Sequence, residues 1–372
     1  MKILLIGNFP YLRSQSMDRF AAVLYDGLKG TGHVVRLLKP KPFFGRMWPP
    51  ATRLGKCLGY LDRFLLFRPK LKQAAEWADV VHICDQANAV YTPCLNRKPH
   101  ILTCHDMVAI RSALVEFSEH TTGLTGKIYQ HWILSGIKQA QHVACVSRNT
   151  YDDVLRLTGL EPERVSLVKN GFNYPYRRMD EVECLKSLEQ IGLDNCQPFF
   201  LHVGGNYWYK NKKGLLRIFK QLLNLQQIQQ PNLVIAGESL DHQLQLLAKK
   251  LRISDRIRQI PDVTNEQLCA LYSSAEGLIF PSLAEGFGWP IIEAQACGCP
   301  VFTSNRPPMT EVGGNAAVYF DPIDEDSAAE IIWKTIQNNG DIQARGYHNT
   351  NQYSTMTMIM EYVDCYKLVT MQ

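Results

Sequence analysis

Two glutamates with seven residues between them, Glu285 and Glu293 in 285-EGFGWPIIE-293, carry the most chemistry in this 372-residue chain. Glycine has no Cβ, so Gly286-Phe287-Gly288 lets backbone come close to a ligand. Pro290 suits the first turn of a helix, where its missing N–H costs nothing, and Gly298 is a natural stop. Glu285 then lies on a loop and Glu293 about one turn into the helix. A helix N-terminus offers unpaired N–H groups and a positive dipole end to an anion. A diphosphate would fit there, with a carboxylate on either side accepting hydrogen bonds from hydroxyls. The same spacing also describes two glutamates flanking an ordinary loop–helix junction.

A second cluster is 202-HVGGNYWYKNKKGLLRIF-219, in which a strand ends at Gly204-Gly205 and Lys210, Lys212 and Lys213 precede a helix. Lysines beside a glycine turn suit a diphosphate whose charge grows as it leaves; a solvated basic turn is the alternative. In 103-TCHDMVA-109, His105 and Asp106 follow a strand, at the sheet edge where doubly wound folds bind ligands. Taken alone, a lone histidine there more often serves structure, and Asp106 would orient it or face an acceptor. Gly7, in 5-LIGNF-9, ends the first strand and would let a diphosphate approach. No G-x-G-x-x-G occurs, which argues against a nicotinamide cofactor. The trio 324-DED-326 has the D-x-D form of metal-dependent transferases, but it precedes 327-SAAEIIWKTI-336 and reads better as an acidic helix start.

The elements that would hold these groups alternate strand and helix. Strands are expected in 2-KILLIG-7, 34-VVRLL-38, 79-DVVHI-83, 100-HILTCH-105, 142-HVACVS-147 and 165-VSLVKN-170, several of them continuous Val/Ile/Leu runs that suit a parallel sheet buried on both faces. Helical patterns lie between them, as in residues 16–32 and 126–140. A loop-like polar stretch, 172–197, interrupts the pattern. It restarts with 198-PFFLHVGG-205, 232-NLVIAGE-238, 256-RIRQI-260, 277-GLIFPS-282 and 300-PVFTSN-305. Two Rossmann-like halves are the simplest reading, and the length favours two domains. Residues 354–369 follow with apolar positions at helical spacing.

The run 281-PSLAEGFGWPIIEAQACGCPV-301 resembles the E-x7-E signature of retaining GT-B glycosyltransferases of the family 4 group. The resemblance extends to 143-VACVSRNT-150, 165-VSLVKNGFN-173, 233-LVIAGE-238 and 256-RIRQIPDVTNEQLCALYSSAEGLIFPS-282, in the family's order and over nearly the whole chain. It implies an α/β protein of GT-B fold, two Rossmann-like domains facing across a cleft. Residues 1–175 would form the acceptor side, 176–353 would bind the nucleotide sugar, and a helix in 354–372 would pack back on the first domain. By resemblance Glu285 holds donor-sugar hydroxyls, Glu293 holds the ribose, and His105 lies near the sugar's primary hydroxyl. Lys210 or Lys213 neutralises the diphosphate. Gly7, Gly204, Gly205, Asn206, Val263, Gly286, Phe287 and Gly288 complete the donor-binding set. The family's usual Gly-Arg is absent, Gly205 or Asn206 standing in its place. Lys213-Gly214 matches the family's Lys-Gly element and Lys210-Asn211 an alternative Lys-Asn version. No protein nucleophile, cofactor or metal is implied. The expected partners are a nucleotide sugar, with UDP favoured over GDP and the sugar left open, UDP-glucose among the candidates, and a glycan or lipid-linked acceptor. Within the family the pattern resembles transferases of cyanobacterial heterocyst-envelope polysaccharide assembly. The rivals are a GT-B nucleotide-sugar epimerase or hydrolase, and a non-catalytic sugar-nucleotide-binding protein.

Eleven scattered cysteines, mostly in apolar runs, read as buried thiols of a reducing cytoplasm, and Cys297-x-Cys299 lacks the partners of a zinc site. Met1 leads into a strand rather than a signal peptide, and no apolar run is long enough to span a bilayer. The net charge of +5 is unevenly spread. Residues 39–72 hold nine basic side chains (Lys39, Lys41, Arg46, Arg53, Lys56, Arg63, Arg68, Lys70 and Lys72) against one acid, Asp62, a net +8 that leaves −3 elsewhere. The segment interleaves Phe43, Phe44, Trp48, Tyr60, Phe64 and Phe67, with Leu54, Leu58, Leu61 and Leu65 at helical spacing. It suits a helix lying on an anionic membrane, on the inner face for a cytoplasmic protein; a core-facing helix with a solvated basic side is the alternative. The charge would also suit nucleic acid, but no nucleic-acid fold pattern accompanies it, so none is expected.

Overall fold

The computed structural model describes residues 1–10, 15–48, 52–95, 97–193, 197–225, 230–338 and 340–371. The chain divides into two compact units, Met1–Asn173 with Ser354–Gln372, and Tyr174–Tyr353.

The first unit is built on β1 (Lys2–Ile6), β2 (Val34–Leu38), β3 (Val80–Ile83), β4 (His100–Cys104), β5 (His142–Cys145) and β6 (Val165–Leu167). All pair in parallel, in the order β2-β1-β3-β4-β5-β6. β3, β4 and β5 are buried at every residue, the pattern of a sheet covered on both faces. Strand order reverses at β1/β3. The helix Thr355–Met371 belongs to this unit. A Cβ on Gly27 would lie 2.7 Å from Ile359, so only glycine lets the helix Gln15–Gly30 approach it. Its Tyr366 hydroxyl sits 2.8 Å from His82 Nδ1, whose Nε2 is 2.7 Å from Thr103 Oγ1; that hydroxyl in turn donates to Tyr362 at 2.9 Å. Burial holds His82 neutral, its pKa pulled down to about 3.

The second unit holds β7 (Phe199–Val203), β8 (Asn232–Ala236), β9 (Ile257–Ile260), β10 (Gly277–Phe280), β11 (Val301–Ser304) and β12 (Val318–Phe320), again all parallel. Their order is β12-β11-β10-β7-β8-β9, so the reversal falls at β7/β10. Counted within the unit this is 3-2-1-4-5-6 read from the other edge, the order of dinucleotide-binding sheets. The core is Phe200, Leu233, Ile235, Ile279 and Phe302 on the sheet against Leu215, Leu216, Phe219 and Leu222 of the helix Lys212–Leu225.

Two expectations need correction. β12 was not anticipated: it is three residues long at a sheet edge, and only Phe320 is buried, so it has no periodicity to read. Within 172–197, expected to be loop-like, residues Glu181–Glu189 form a helix. Its acidic patch is a capping box, Asp180 accepting from Glu183 N while the Glu183 side chain reaches back, and Cys184 and Leu188 are its buried face.

Candidate functional site

In open parallel sheets the loops after two neighbouring strands diverge where strand order reverses, leaving a crevice at their carboxyl ends. In the second unit those loops follow β7 and β10. The first carries Gly204, Gly205, Asn206 and Lys210; the second carries Ser282, Glu285 and the glycine loop. The structure brings them together. Lys210 Nζ lies 2.6 Å from Glu285 Oε1, with side chains 15% and 9% exposed. Ser282 Oγ donates to the same oxygen at 2.8 Å, and Leu283 N donates to the Tyr209 carbonyl at 2.7 Å, tying the loops. Lys210 Nζ also lies 5.1 Å from the centre of the Phe280 ring. A pair so buried has given up most of its hydration, and removing one partner strands the other.

The loop after β10 turns into its helix as expected. Gly288 has φ +99°, a left-handed conformation that disfavours side chains, and directly precedes the helix Trp289–Ala296. Pro290 sits in its first turn, and Gly298, φ +74°, follows its end. Glu293 is one turn in and buried, and accepts a hydrogen bond from Tyr272 Oη at 2.9 Å. Burial and the Glu293 carboxylate push the Tyr272 phenol up, so it stays a donor. Phe287 is buried, edge-on to Trp289 and Tyr353, while Gly286 and Val263 are half-buried on the loops after β10 and β9.

The three lysines have different fates. Lys210 meets Glu285, Lys213 is exposed on the first turn of its helix, and Lys212 is buried. Lys212 Nζ donates to Asn206 Oδ1 at 2.9 Å and to the Glu238 carbonyl at 2.8 Å. Glu238 Oε2 accepts from Asn206 N at 2.9 Å and would be 3.1 Å from a Cβ on Gly205; Asn206 Nδ2 donates to the Ser239 carbonyl at 2.5 Å. The glycine turn is therefore held from behind by a buried ammonium. Burial pulls its pKa down to about 8, against the pull of Glu238 and Asp241. His202, under the turn, donates from Nδ1 to the Ile279 carbonyl at 3.0 Å, and burial, then Lys212, pulls it down to about 3. Sequence reasoning named Lys212 only as one of three lysines that could meet the diphosphate, and did not single out Glu238, Ser282 or Tyr272. Ser282 and Glu238 stand at strand ends in runs already quoted, a signal that would have found them. Nothing local distinguishes Lys212 from Lys213.

In the first unit the loops after β1 and β3 meet at the reversal. Asn8 Nδ2 donates to Asp85 Oδ2 and Asn88 Nδ2 to Asn8 Oδ1, both at 2.5 Å. A Cβ on Gly7 would lie 3.0 Å from Lys39 Cε, so the lysine stem packs against that turn. His105, buried after β4, donates from Nε2 to the Cys84 carbonyl at 2.9 Å and stands edge-on to Phe20. Burial pulls its pKa down, with Asp85 opposing. Asp106 Oδ1 accepts from Val108 N at the start of the helix Val108–Ala113. Asp324 caps the helix Glu325–Gln337 through Ser327 N, and Glu325 pairs with Arg217, so the D-x-D trio is a helix start. Among the described residues no group of three or more His, Cys, Asp or Glu could hold a metal ion.

Two doubly wound parallel sheets in separate units, one with a lysine–carboxylate pair at its reversal, define a two-domain GT-B protein. Comparison with known proteins agrees. A family model described as Glycosyltransferase Family 4 matches residues 17–174, and one described as Glycosyl transferases group 1 matches residues 186–353. The chain belongs to the GT-B glycosyltransferases of this family 4, group 1 type. It is 30% identical to O-antigen chain mannosyltransferase B of Escherichia coli over 63% of this chain and 62% of that one, under two thirds of the relative's length. It is 27% identical to O-antigen chain mannosyltransferase RfbU of Salmonella typhimurium over 67% and 68%. Among solved structures it is similar in fold to Anabaena HepE in complex with UDP and glucose, with TM-score 0.74, 17% identity and 98% of each chain covered.

Proposed function

We propose that this chain is a retaining hexosyltransferase that moves a sugar from a nucleoside diphosphate to a glycan or lipid-linked acceptor in polysaccharide assembly. The observation that carries the reading is the Lys210–Glu285 pair at the β7/β10 reversal, within the E-x7-E run. Lys210, rather than exposed Lys213, takes the diphosphate, together with the N–H groups of the helix Trp289–Ala296. Glu285 accepts from the sugar hydroxyls and Glu293 from the ribose. His105 is assigned the sugar's primary hydroxyl by resemblance alone. The acceptor oxygen bonds to the anomeric carbon on the face from which the diphosphate departs. The carbon–oxygen bond to phosphate breaks, its electron pair leaves with the diphosphate, and the acceptor's proton passes to the leaving oxygen. Lysine and helix N-terminus supply positive charge where that negative charge grows, so no metal or other cofactor is required.

Mannose is the sugar that the Escherichia coli and Salmonella relatives favour, since both are named mannosyltransferases. UDP-glucose is the second reading, favoured by a fold neighbour solved with UDP-glucose. The same relatives favour an O-antigen-type chain over heterocyst-envelope polysaccharide as product. The test is a thermal-shift panel of GDP-mannose, UDP-glucose and UDP-galactose, then transfer assays with the best binder. The product should keep the donor's anomeric configuration by NMR. An inverted product refutes retention. Epimerised or hydrolysed donor unchanged by any acceptor points to the epimerase or hydrolase alternative. Binding without turnover points to a non-catalytic sugar-nucleotide protein.

A further inference from the structure

Leu54, Leu58, Leu61 and Leu65 recur at helical spacing, and an ordinary amphipathic helix turns such a stripe toward the core. Here Leu54, Leu61 and Leu65 face out, and Leu58 is half-buried. The helix Arg53–Leu61 runs through a π-helical turn, Asp62–Leu66, into the helix Phe67–Trp77. Leu54 is 49% exposed, Leu61 43% and Leu65 64%. The inward positions are Gly55, Gly59, Asp62, Arg63 and Phe67. Gly59 packs toward the Phe9 ring, on the inner side, while Leu54, Leu61 and Leu65 point away.

The polar residues on the inner side are consumed there. Asp62, the segment's one acid, accepts from Phe43 N, Phe44 N and Gly45 N at 2.8–3.0 Å. Arg63, counted above among the surface charges, is buried and donates to Tyr129 Oη at 2.8 Å. By folding the Phe43–Trp48 turn, Asp62 displays Phe43 at 67% exposure, Met47 at 71% and Trp48 at 49%. Lys41, Arg46 and Lys56 stand exposed along the same segment. The outward side thus combines large apolar groups with charge of one sign. Large exposed apolar groups in one segment, set among charges of one sign, point to an interaction site.

We propose that this face, from the Phe43–Trp48 turn through Leu54, Leu61 and Leu65, lies on an anionic lipid surface. Among the described residues no helix is long and apolar enough to cross a membrane, so the contact is in the plane of the interface. The apolar side chains enter the acyl boundary, and Lys41, Arg46 and Lys56 sit among the headgroups. Charge complementarity selects lipid: Lys41, Arg46 and Lys56 are exposed, with no exposed acid among the described residues of 39–72, and amphipathic aromatic and long basic side chains suit a headgroup layer. A lipid-linked acceptor, where that part of the proposed function holds, would reach the enzyme from this side.

The test is co-sedimentation of the full chain with phosphatidylcholine vesicles, with and without phosphatidylglycerol, and no donor present. Its outcome is therefore independent of the transferase reading. Binding should require the anionic lipid, weaken as salt rises and persist in part at moderate salt. L54S/L61S/L65S should lose roughly tenfold or more in binding, with its melting temperature unchanged because the side chains are exposed. R46Q/K56Q should lose roughly tenfold at low salt, and the difference should shrink at high salt. Brominated lipid should quench Trp48, a signal lost in Trp48→Phe; this reading stands even if the triple variant folds poorly. The proposal is overturned if wild-type chain ignores anionic vesicles, if Trp48 is not quenched, or if the stably folded triple serine variant binds like wild type. A dimer abolished by the triple variant, in a protein that ignores vesicles, assigns the face to a second copy.

Discussion

The two units present the same architecture, six parallel strands with one reversal of order, and fill its crevice in opposite ways. At β7/β10 the loops contribute an ammonium and a carboxylate, bonded to each other and to one hydroxyl. At β1/β3 they contribute two amides and a carboxylate that form a chain of short bonds, Asn88 to Asn8 to Asp85. On the proposed function a phosphate and a sugar hydroxyl would exchange into the first set, because each partner keeps a charge for the ligand. The second set is a structural clamp whose groups would lose bonds in any exchange. A shared scaffold therefore says where chemistry can occur, and the residue types in the two loops decide whether it does.

Lys210→Met should break the comparison most severely. It removes the charge facing the diphosphate and strands Glu285, so transfer should fall roughly a hundredfold to a thousandfold. The melting temperature should fall too, since a buried carboxylate loses its partner. Glu285→Gln should cut transfer about tenfold to a hundredfold or more, the worth of a charged hydrogen bond. Normal turnover in either variant would remove the assignment.

Asp85→Ala should do the reverse. It removes the carboxylate that accepts from Asn8 Nδ2 and Ala87 N, costing roughly 1.5–3 kcal/mol of stability by denaturant titration. Nucleoside diphosphate affinity should be unchanged. An equal loss in affinity would mean that the clamp serves the nucleotide after all.

Lys212 sharpens the contrast within the second unit. Lys212→Met frees the Gly204–Asn206 turn and should weaken nucleoside diphosphate binding about fivefold to tenfold, seen in KM more than in kcat. Wild-type affinity should decline as pH rises through about 8, where the ammonium loses its proton, and the methionine variant should lack that step. The stability effect has the opposite sign. The unfolded chain holds this proton more tightly, up to 10.5, so between about 8 and 10.5 the group makes the fold gain stability as pH rises.

His82 supplies a smaller acid effect in the first unit. It is neutral in the fold, with a pKa of about 3 against 6.5 ordinarily, so its contribution is complete above 6.5 and lost progressively as pH falls toward 3. The melting temperature should drop over that range, less steeply in His82→Phe. The smallest expected effect is that of EDTA, which should leave transfer unchanged. Loss restored by manganese, and abolished by changing Asp324 and Asp326, would reverse the metal-free mechanism.

Much of the fold is legible because parallel strands buried on both faces need uninterrupted apolar runs, and 3–6, 143–146 and 233–236 have them. β12 lacks such a run. The helix Glu181–Glu189 was readable from Asp180 and Glu183 but is masked by its charged surface. At the site, Glu285 and Glu293 stand out because glycines and a proline punctuate the loop between them. The roles of Lys210, Lys212 and Lys213 do not, since three lysines within four residues are equivalent until a helix axis points them in different directions.

The residue string alone settles eleven of the twelve strand segments, β12 excepted, where glycine and proline force the turns, and that a basic segment carries an apolar stripe. It does so because these are local matters of period, steric freedom and charge. Which strands are neighbours, and so which loops share a crevice, depends on packing between residues far apart in the chain: Lys210 and Glu285 are joined across 75 positions. The direction of the leucine stripe is of the same kind. Periodicity shows that Leu54, Leu61 and Leu65 share one side of a helix. That they face outward goes with Asp62 holding the inner side, through three hydrogen bonds from the backbone of Phe43, Phe44 and Gly45.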